Sequence, residues 1–257
     1  MLDVQRITKT YRGIIAIEDV SFRISAGEIV GYLGPNGSGK STTVKIVTGL
    51  LQPTSGAVFF EGTRISEDLA AFRTTLGYVP EEAHVYTHLS GLEYLQLVGR
   101  LRNMSERTIS HRALGLLEHL GLTSWRHSPI SLYSKGMKQR ILIAAAIMHN
   151  PKLIVLDEPL SGLDVVTARL FRDLLLELAG DGKAILYISH VLEVVERVCD
   201  RVIVIANGRI RADAPPAELN AQMELPDLQA VFAKLVQQQD TRVTAHSMVE
   251  VIHASAE

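Results

Sequence analysis

An α/β fold built on a mainly parallel core sheet, with an N-terminal antiparallel β subdomain and an inserted α-helical subdomain, is what the 257 residues predict. Three observations carry that expectation. Unbroken apolar runs, EIVGYLG at 28–34, KLIVLD at 152–157, AILYIS at 184–189 and RVIVIA at 201–206, recur with helical stretches among them. Strands of that kind are buried on both faces, as in a parallel sheet covered by helices. The first 25 residues instead alternate apolar and polar, as antiparallel strands with one wet face do. From Leu89 to about Asn150 the period is helical only.

Taken in order, LDVQRIT and DVSFRIS are the first antiparallel strands, and EIVGYLG is a short buried strand running into a glycine-rich turn. STTVKIVTGLL is the helix that follows, and AVFFEG and TLGYVP are two further strands. LSGLEYLQLVGRLR, SERTISHRALGLLEHL and KGMKQRILIAAAIM make the helical insertion, with Ser105 as the N-cap of the second. Strands then return, separated by a helix opening at Asp164 and a shorter one after His190. Asn207-Gly208 between two alternating runs is a hairpin signal. Beyond APPAEL, one amphipathic helix is expected at DLQAVFAKLV. The expected organisation is a domain over 1–220, its helical subdomain at about 85–150, and a C-terminal helical extension over 221–257.

Composition bounds the function. Apolar residues form 47% of the chain, enough for a sizeable core, and the net charge of −2 lacks the basic footprint of a nucleic-acid binder. The single cysteine, Cys199, permits no intrachain disulfide and reads as a buried helical thiol. MLDVQRITKTYRG lacks the apolar core and cleavage site of a signal peptide, and no apolar run approaches the roughly 18 residues that span a bilayer. Any membrane role is expected to come through a partner.

Two motifs carry chemistry. Gly34, Pro35, Asn36, Gly37, Ser38, Gly39, Lys40 and Ser41 match G-x-x-x-x-G-K-[S/T], after a predicted strand and before a predicted helix. In that context the backbone amides curl around a polyphosphate, Lys40 neutralises its charge and Ser41 offers a hydroxyl to Mg²⁺. The buried run KLIVLDEP ends in Asp157 and Glu158, at the strand end where ligands sit in parallel sheets. Adjacent strand residues point to opposite faces, so the two acids take different jobs: Asp157 holds the metal, directly or through its water, and Glu158 polarises the attacking water. His190 closes AILYISH at the same edge. SLYSKGMKQR, at 131–140, opens a second helix whose N-terminus also suits an anion.

The ordered set TYRG, GPNGSGKST, GYVPEE, YSKGMKQR, LIVLDEP, SGLD and ISH resembles the ATP-binding cassette (ABC) ATPases over residues 1 to about 220. The resemblance implies a P-loop NTPase fold that hydrolyses ATP with Mg²⁺. It implies that Tyr11 stacks on adenine and that residues Gly34 to Thr42 hold the phosphates. It implies that Ser41, Asp157 and the Q-loop residue Glu81, here a carboxylate rather than glutamine, serve the metal. Glu158, His190 and Lys40 become the catalytic set, and Ser161, Gly162, Leu163 and Asp164 the D-loop. Ser134, Lys135 and Gly136 fall in the signature, which reads YSKGM where the family usually has LSGGQ. In the family it grips ATP held by a second subunit, which accounts for two anion sites in one chain. The implied protein is the energising subunit of an exporter, most similar to those of bacterial multidrug, antibiotic or polysaccharide systems. It would lie on the inner face of the cell membrane as a dimer docked on permease subunits, with 81–94 around Tyr86 as the docking loop. A soluble ABC ATPase without a membrane partner is the alternative.

Overall fold

In the computed structural model, which describes residues 1–82 and 85–236, the strands divide between two sheets. The antiparallel one has the order β2-β1-β4-β5, from β1 (Leu2–Tyr11), β2 (Ile14–Ile24), β4 (Ser55–Phe60) and β5 (Thr63–Arg64). The core sheet has the order β10-β9-β3-β8-β7-β6. It contains β3 (Ile29–Leu33), β6 (Leu76–Val79), β7 (Leu153–Asp157), β8 (Ala184–Ile188), β9 (Arg201–Ala206) and β10 (Arg209–Ala214). β6, β7, β8, β3 and β9 are mutually parallel, and only β10 runs against its neighbour. β3, β7 and β8 are buried at every residue, as their unbroken apolar sequences require. The β9–β10 turn is Asn207-Gly208, with φ of 51° and 74°, the left-handed pair that a two-residue hairpin turn demands.

α1 (Lys40–Val47) is shorter than its sequence run. Leu50 and Leu51 both donate their amides to Lys45 O, and Gly49 turns the chain at φ 70°. α2 (Leu69–Thr75) is a helix the sequence reading did not anticipate, capped by Asp68, whose carboxylate accepts from Ala71 N at 2.9 Å. The insertion comprises α3 (Gly91–Leu101), α4 (Glu106–His119) and α5 (Lys135–Ile147). Ser90 and Glu93 form a reciprocal capping box on α3, and Ser105 caps α4 as expected. α5 is buried on nearly all sides. Ile141, Ala144 and Ala145 face the helical lobe, while Leu142, Ile143 and Ala146 join the core beneath the sheet.

α6 (Val165–Gly180) opens at Asp164, which accepts from Thr167 N at 2.9 Å, and α7 (Leu192–Val198) follows His190. Cys199 is buried, but it lies past the end of α7 in extended backbone rather than within the helix. Burial pushes its thiol pKa up, away from thiolate chemistry. α8 (Pro216–Met223) spans residue 220, and α9 (Leu228–Val236) occupies the expected amphipathic run. Leu219, Leu228 and Val231 are buried in the same cluster as α7 and β9. The remainder of the expected C-terminal extension, from 237, lies outside the described residues. Among the described residues no helix is long and apolar enough to cross a membrane.

Candidate active site

The turn after β3 leaves α1 uncapped. Gly39 holds the N-cap position at φ 108° and has no side chain to accept from the first amides. A β-carbon there would stand 2.4 Å from Ile17 Cγ2, so both the conformation and the space demand glycine. Free amides and the positive end of the helix dipole together make an anion site. The turn is clamped from below: Gly208 N donates to Ser38 O at 3.0 Å, and Glu18 N donates to Gly208 O at 2.8 Å. Lys40 Nζ donates to Gly34 O at 2.6 Å and Pro35 O at 3.0 Å, which folds the ammonium over the loop. Burial lowers its pKa, and the carboxylates of Glu158, Asp157 and Glu81 oppose that shift.

Above the turn lies a cleft of about 1470 Å³. Every residue from Gly34 to Thr42 except Ser38 lines it, and Glu81, Asp157, Glu158 and His190 close the other side. Ser38 is buried, and its hydroxyl has no hydrogen-bond partner among the described residues. Asp157 ends β7 in a buried position, and its pKa is pushed up to about 6. Burial is the main cause, followed by the Glu81 and Glu158 carboxylates, with Lys40 acting the other way.

Glu158 lies one residue beyond the strand, with φ 49°. That left-handed turn releases it from the alternation of β7, so both acids reach one cleft instead of opposite faces. Glu158 is fixed on several sides. Its amide donates to Ile188 O at 2.9 Å, and its Oε1 lies 2.8 Å from His190 Nδ1. Its Oε2 accepts from Ser189 Oγ at 3.3 Å. The Glu158 side chain is 14% exposed and that of His190 80%, so the pair joins a sheltered base to a side chain open to an incoming ligand.

The other expected site residues do not line this cleft. Tyr11 sits opposite Ile14 at the tip of the β1–β2 hairpin, with Lys9 Nζ 5.5 Å from its ring centroid. Its neighbours Ile14, Ile15 and Ala16 line the cleft in its place. Ser134 caps α5, accepting from Met137 N at 3.2 Å. With Lys135 and Gly136 it forms a separate anion-type helix start, packed against Gly162 of the 161–164 turn. Sequence reasoning missed Ser189, although it adjoins His190. It also missed the wall that Gln229, Phe232 and Ala233 of α9 contribute, whose 3-4 spacing in an amphipathic helix was the available signal.

The family model described as ABC transporter matches residues 17–161. The chain is 38% identical over 224 residues to the ABC transporter ATP-binding protein YxlF of Bacillus subtilis (strain 168), covering 87% of this chain and 74% of that protein. It is 34% identical over 223 residues to the linearmycin resistance ATP-binding protein LnrL of the same organism, covering 87% and 72%. Among solved structures, the ATP binding subunit of an ABC transporter superposes with a TM-score of 0.87 at 32% identity, over 91% of this chain and 99% of that one. A dimeric post-hydrolysis state of the ATP-binding cassette MJ0796, bound to ADP and Pi, superposes with a TM-score of 0.78 at 29% identity, over 84% and 98%. Glycine-rich turn, paired strand-end acids, fold and relatives agree: the chain belongs to the ATP-binding subunit family of ABC transporters, which are ATPases.

Proposed function

We propose that this chain drives a membrane exporter, hydrolysing ATP in a head-to-tail dimer docked on separate transmembrane subunits at the inner face of the membrane. One observation carries the dimer: the two anion-binding helix starts of a single chain do not share a cleft, since Ser134 to Gly136 lie outside the one lined by Lys40. Each becomes useful when a second copy brings its α5 to the open side of the cleft. The dimeric form of MJ0796 supports the arrangement, and the resistance function of LnrL supports export.

Within the cleft the triphosphate displaces the Gly34 and Pro35 carbonyls from Lys40 and takes the α1 amides. Mg²⁺ fits the donors present. Ser41, Asp157 and Glu81 offer only oxygen, and among the described residues no group of three or more His, Cys, Asp or Glu could hold a metal unaided. Mg²⁺ characteristically takes one or two carboxylates and completes its shell with phosphate and water. When bound it supplies charge neutralisation for the phosphates and for the crowded acids that raise the Asp157 pKa. Glu158 orients and polarises the attacking water. His190, hydrogen-bonded to Glu158 and largely exposed, reaches the γ-phosphate side. Tyr11 belongs to the adenine end, near the cleft wall formed by Ile14 and Ile15.

The test mixes two inactive variants. Lys40→Ala removes the phosphate cation, and Ser134→Arg blocks the α5 helix start. A mixed dimer of identical backbones then has one doubly defective site and one intact site. Phosphate release is expected to recover to about half that of a wild-type dimer for each mixed pair, if the sites act independently. No recovery despite mixed dimers confirmed by tag pull-down would reject independent sites shared between chains.

A further inference from the structure

Helix α5 is fastened to the segment that follows the catalytic carboxylate of its own chain. Gln139 is 4% exposed, and its Nε2 donates to the Pro159 carbonyl at 3.0 Å in a buried bond. One turn earlier, a β-carbon on Gly136 would lie 2.6 Å from Gly162 O, so helix and segment touch there backbone to backbone. Gln139 is thus the side-chain tie in a contact that runs along residues 159–162.

Glu158 gives that tie its purpose. A non-glycine residue at φ 49° persists only where its surroundings over-determine it. The Glu158 amide is held by Ile188 O, and its carbonyl accepts from Ser161 N at 3.1 Å. The next carbonyl along, that of Pro159, is the one Gln139 holds. A buried amide side chain donating to a carbonyl is costly to lose, because the acceptor is left unpaired away from water.

We propose that Gln139 is a positioning residue for hydrolysis. By gripping the Pro159 carbonyl it keeps Glu158 in its left-handed conformation, with the carboxylate between His190 and Ser189. It acts on the active site of its own chain, although the helix that carries it serves the neighbour's ATP; this last point rests on the composite sites proposed above.

Gln139→Met keeps the length and removes the donor. In the pure variant kcat is expected to fall about 10- to 100-fold, as for a slightly misplaced catalytic group, with the KM for ATP unchanged and the thermal midpoint lowered by a few degrees, because the Pro159 carbonyl loses its donor. Purified mixed dimers assign the defect. Paired with Lys40→Ala, the surviving site uses the Glu158 of the Gln139→Met chain, and activity falls by the same factor relative to wild type paired with Lys40→Ala. Paired with Ser134→Arg, the surviving site uses only the α5 start of the Gln139→Met chain, and activity matches wild type paired with Ser134→Arg. Equal losses in both pairings would mean that Gln139 merely supports α5, and would overturn the proposal. So would an unchanged kcat or a raised KM in the pure variant. Should Lys40→Ala with Ser134→Arg show no recovery, the composite site fails separately, and the kcat and KM of pure Gln139→Met still decide the role of Gln139.

Discussion

At the scale of single residues, the proposed function rests on Glu158 as the base, its carboxylate held between His190 and Ser189. Glu158→Gln retains the shape and removes the base. Hydrolysis should fall by roughly 10² or more, the usual worth of a positioned base, while ATP binding and ATP-dependent dimerisation persist. Phosphate release together with gel filtration in ATP measures both, and near-normal turnover would remove Glu158 from its role. Glycine-rich turn, paired acids and strand-end histidine, which the structure brings to one cleft, were all legible as short motifs of the residue types that phosphate and metal chemistry uses. The direction of Glu158 was not. Strand alternation placed it opposite Asp157, and only its backbone at φ 49° brings both acids into one cleft. Gln139 was hidden for a related reason, since its partner is a backbone carbonyl twenty residues away that no residue pattern announces.

Among the elements, α7 joins the site to the C-terminal helices. It begins two residues after His190, and its Glu196 Oε1 accepts from Asn220 Nδ2 at 2.8 Å and from Leu228 N, the first residue of α9, at 3.3 Å. Glu196→Ala removes a helix cap and a buried-edge partner, a loss of about 1 kcal/mol. A drop of about 2–4 °C in thermal midpoint is expected for a domain of this size, with kcat preserved; an unchanged midpoint would leave α9 held by its apolar face alone. Strands with unbroken apolar runs and helices with clear caps were readable in advance, since burial on two faces and an N-cap hydroxyl leave direct marks. α2 escaped because it has seven residues and buries only Phe72, too little to show a period. The early end of α1 escaped because Gly49 turns the chain inside a stretch whose side chains still suit a helix.

For the molecule as a whole, the proposed function calls for a surface on which a transmembrane subunit docks. The loop after β6 runs from Glu81 to the capping box of α3, and its described part exposes Tyr86, whose ring packs edge-on against His88 at 6.0 Å. It is hydrogen-bonded to the approach to α5, Ile130 N donating to Leu89 O and Ser131 N to Thr87 O, each at 2.8 Å. An exposed aromatic on a braced loop suits an interface anchor. Tyr86→Asp should leave ATPase activity of the isolated subunit nearly unchanged and abolish co-purification with the transmembrane partner; retained pull-down would place the docking surface elsewhere.

The strand order of the core sheet also bears on how the molecule is made. β3, which delivers the glycine-rich turn, is flanked by β8 and β9, whose residues begin about 150 positions later in the chain. A nascent chain therefore presents its glycine-rich turn on a strand with no sheet neighbour until β8 is complete at residue 188, and with only one until β9 is complete at residue 206. Pairings so distant in sequence close slowly, and leave apolar strands uncovered meanwhile. The segment most recognisable at the start of the chain is thus among the last to take its working shape. A ribosome stalled before β8 would carry the whole motif on a strand without a partner in its sheet.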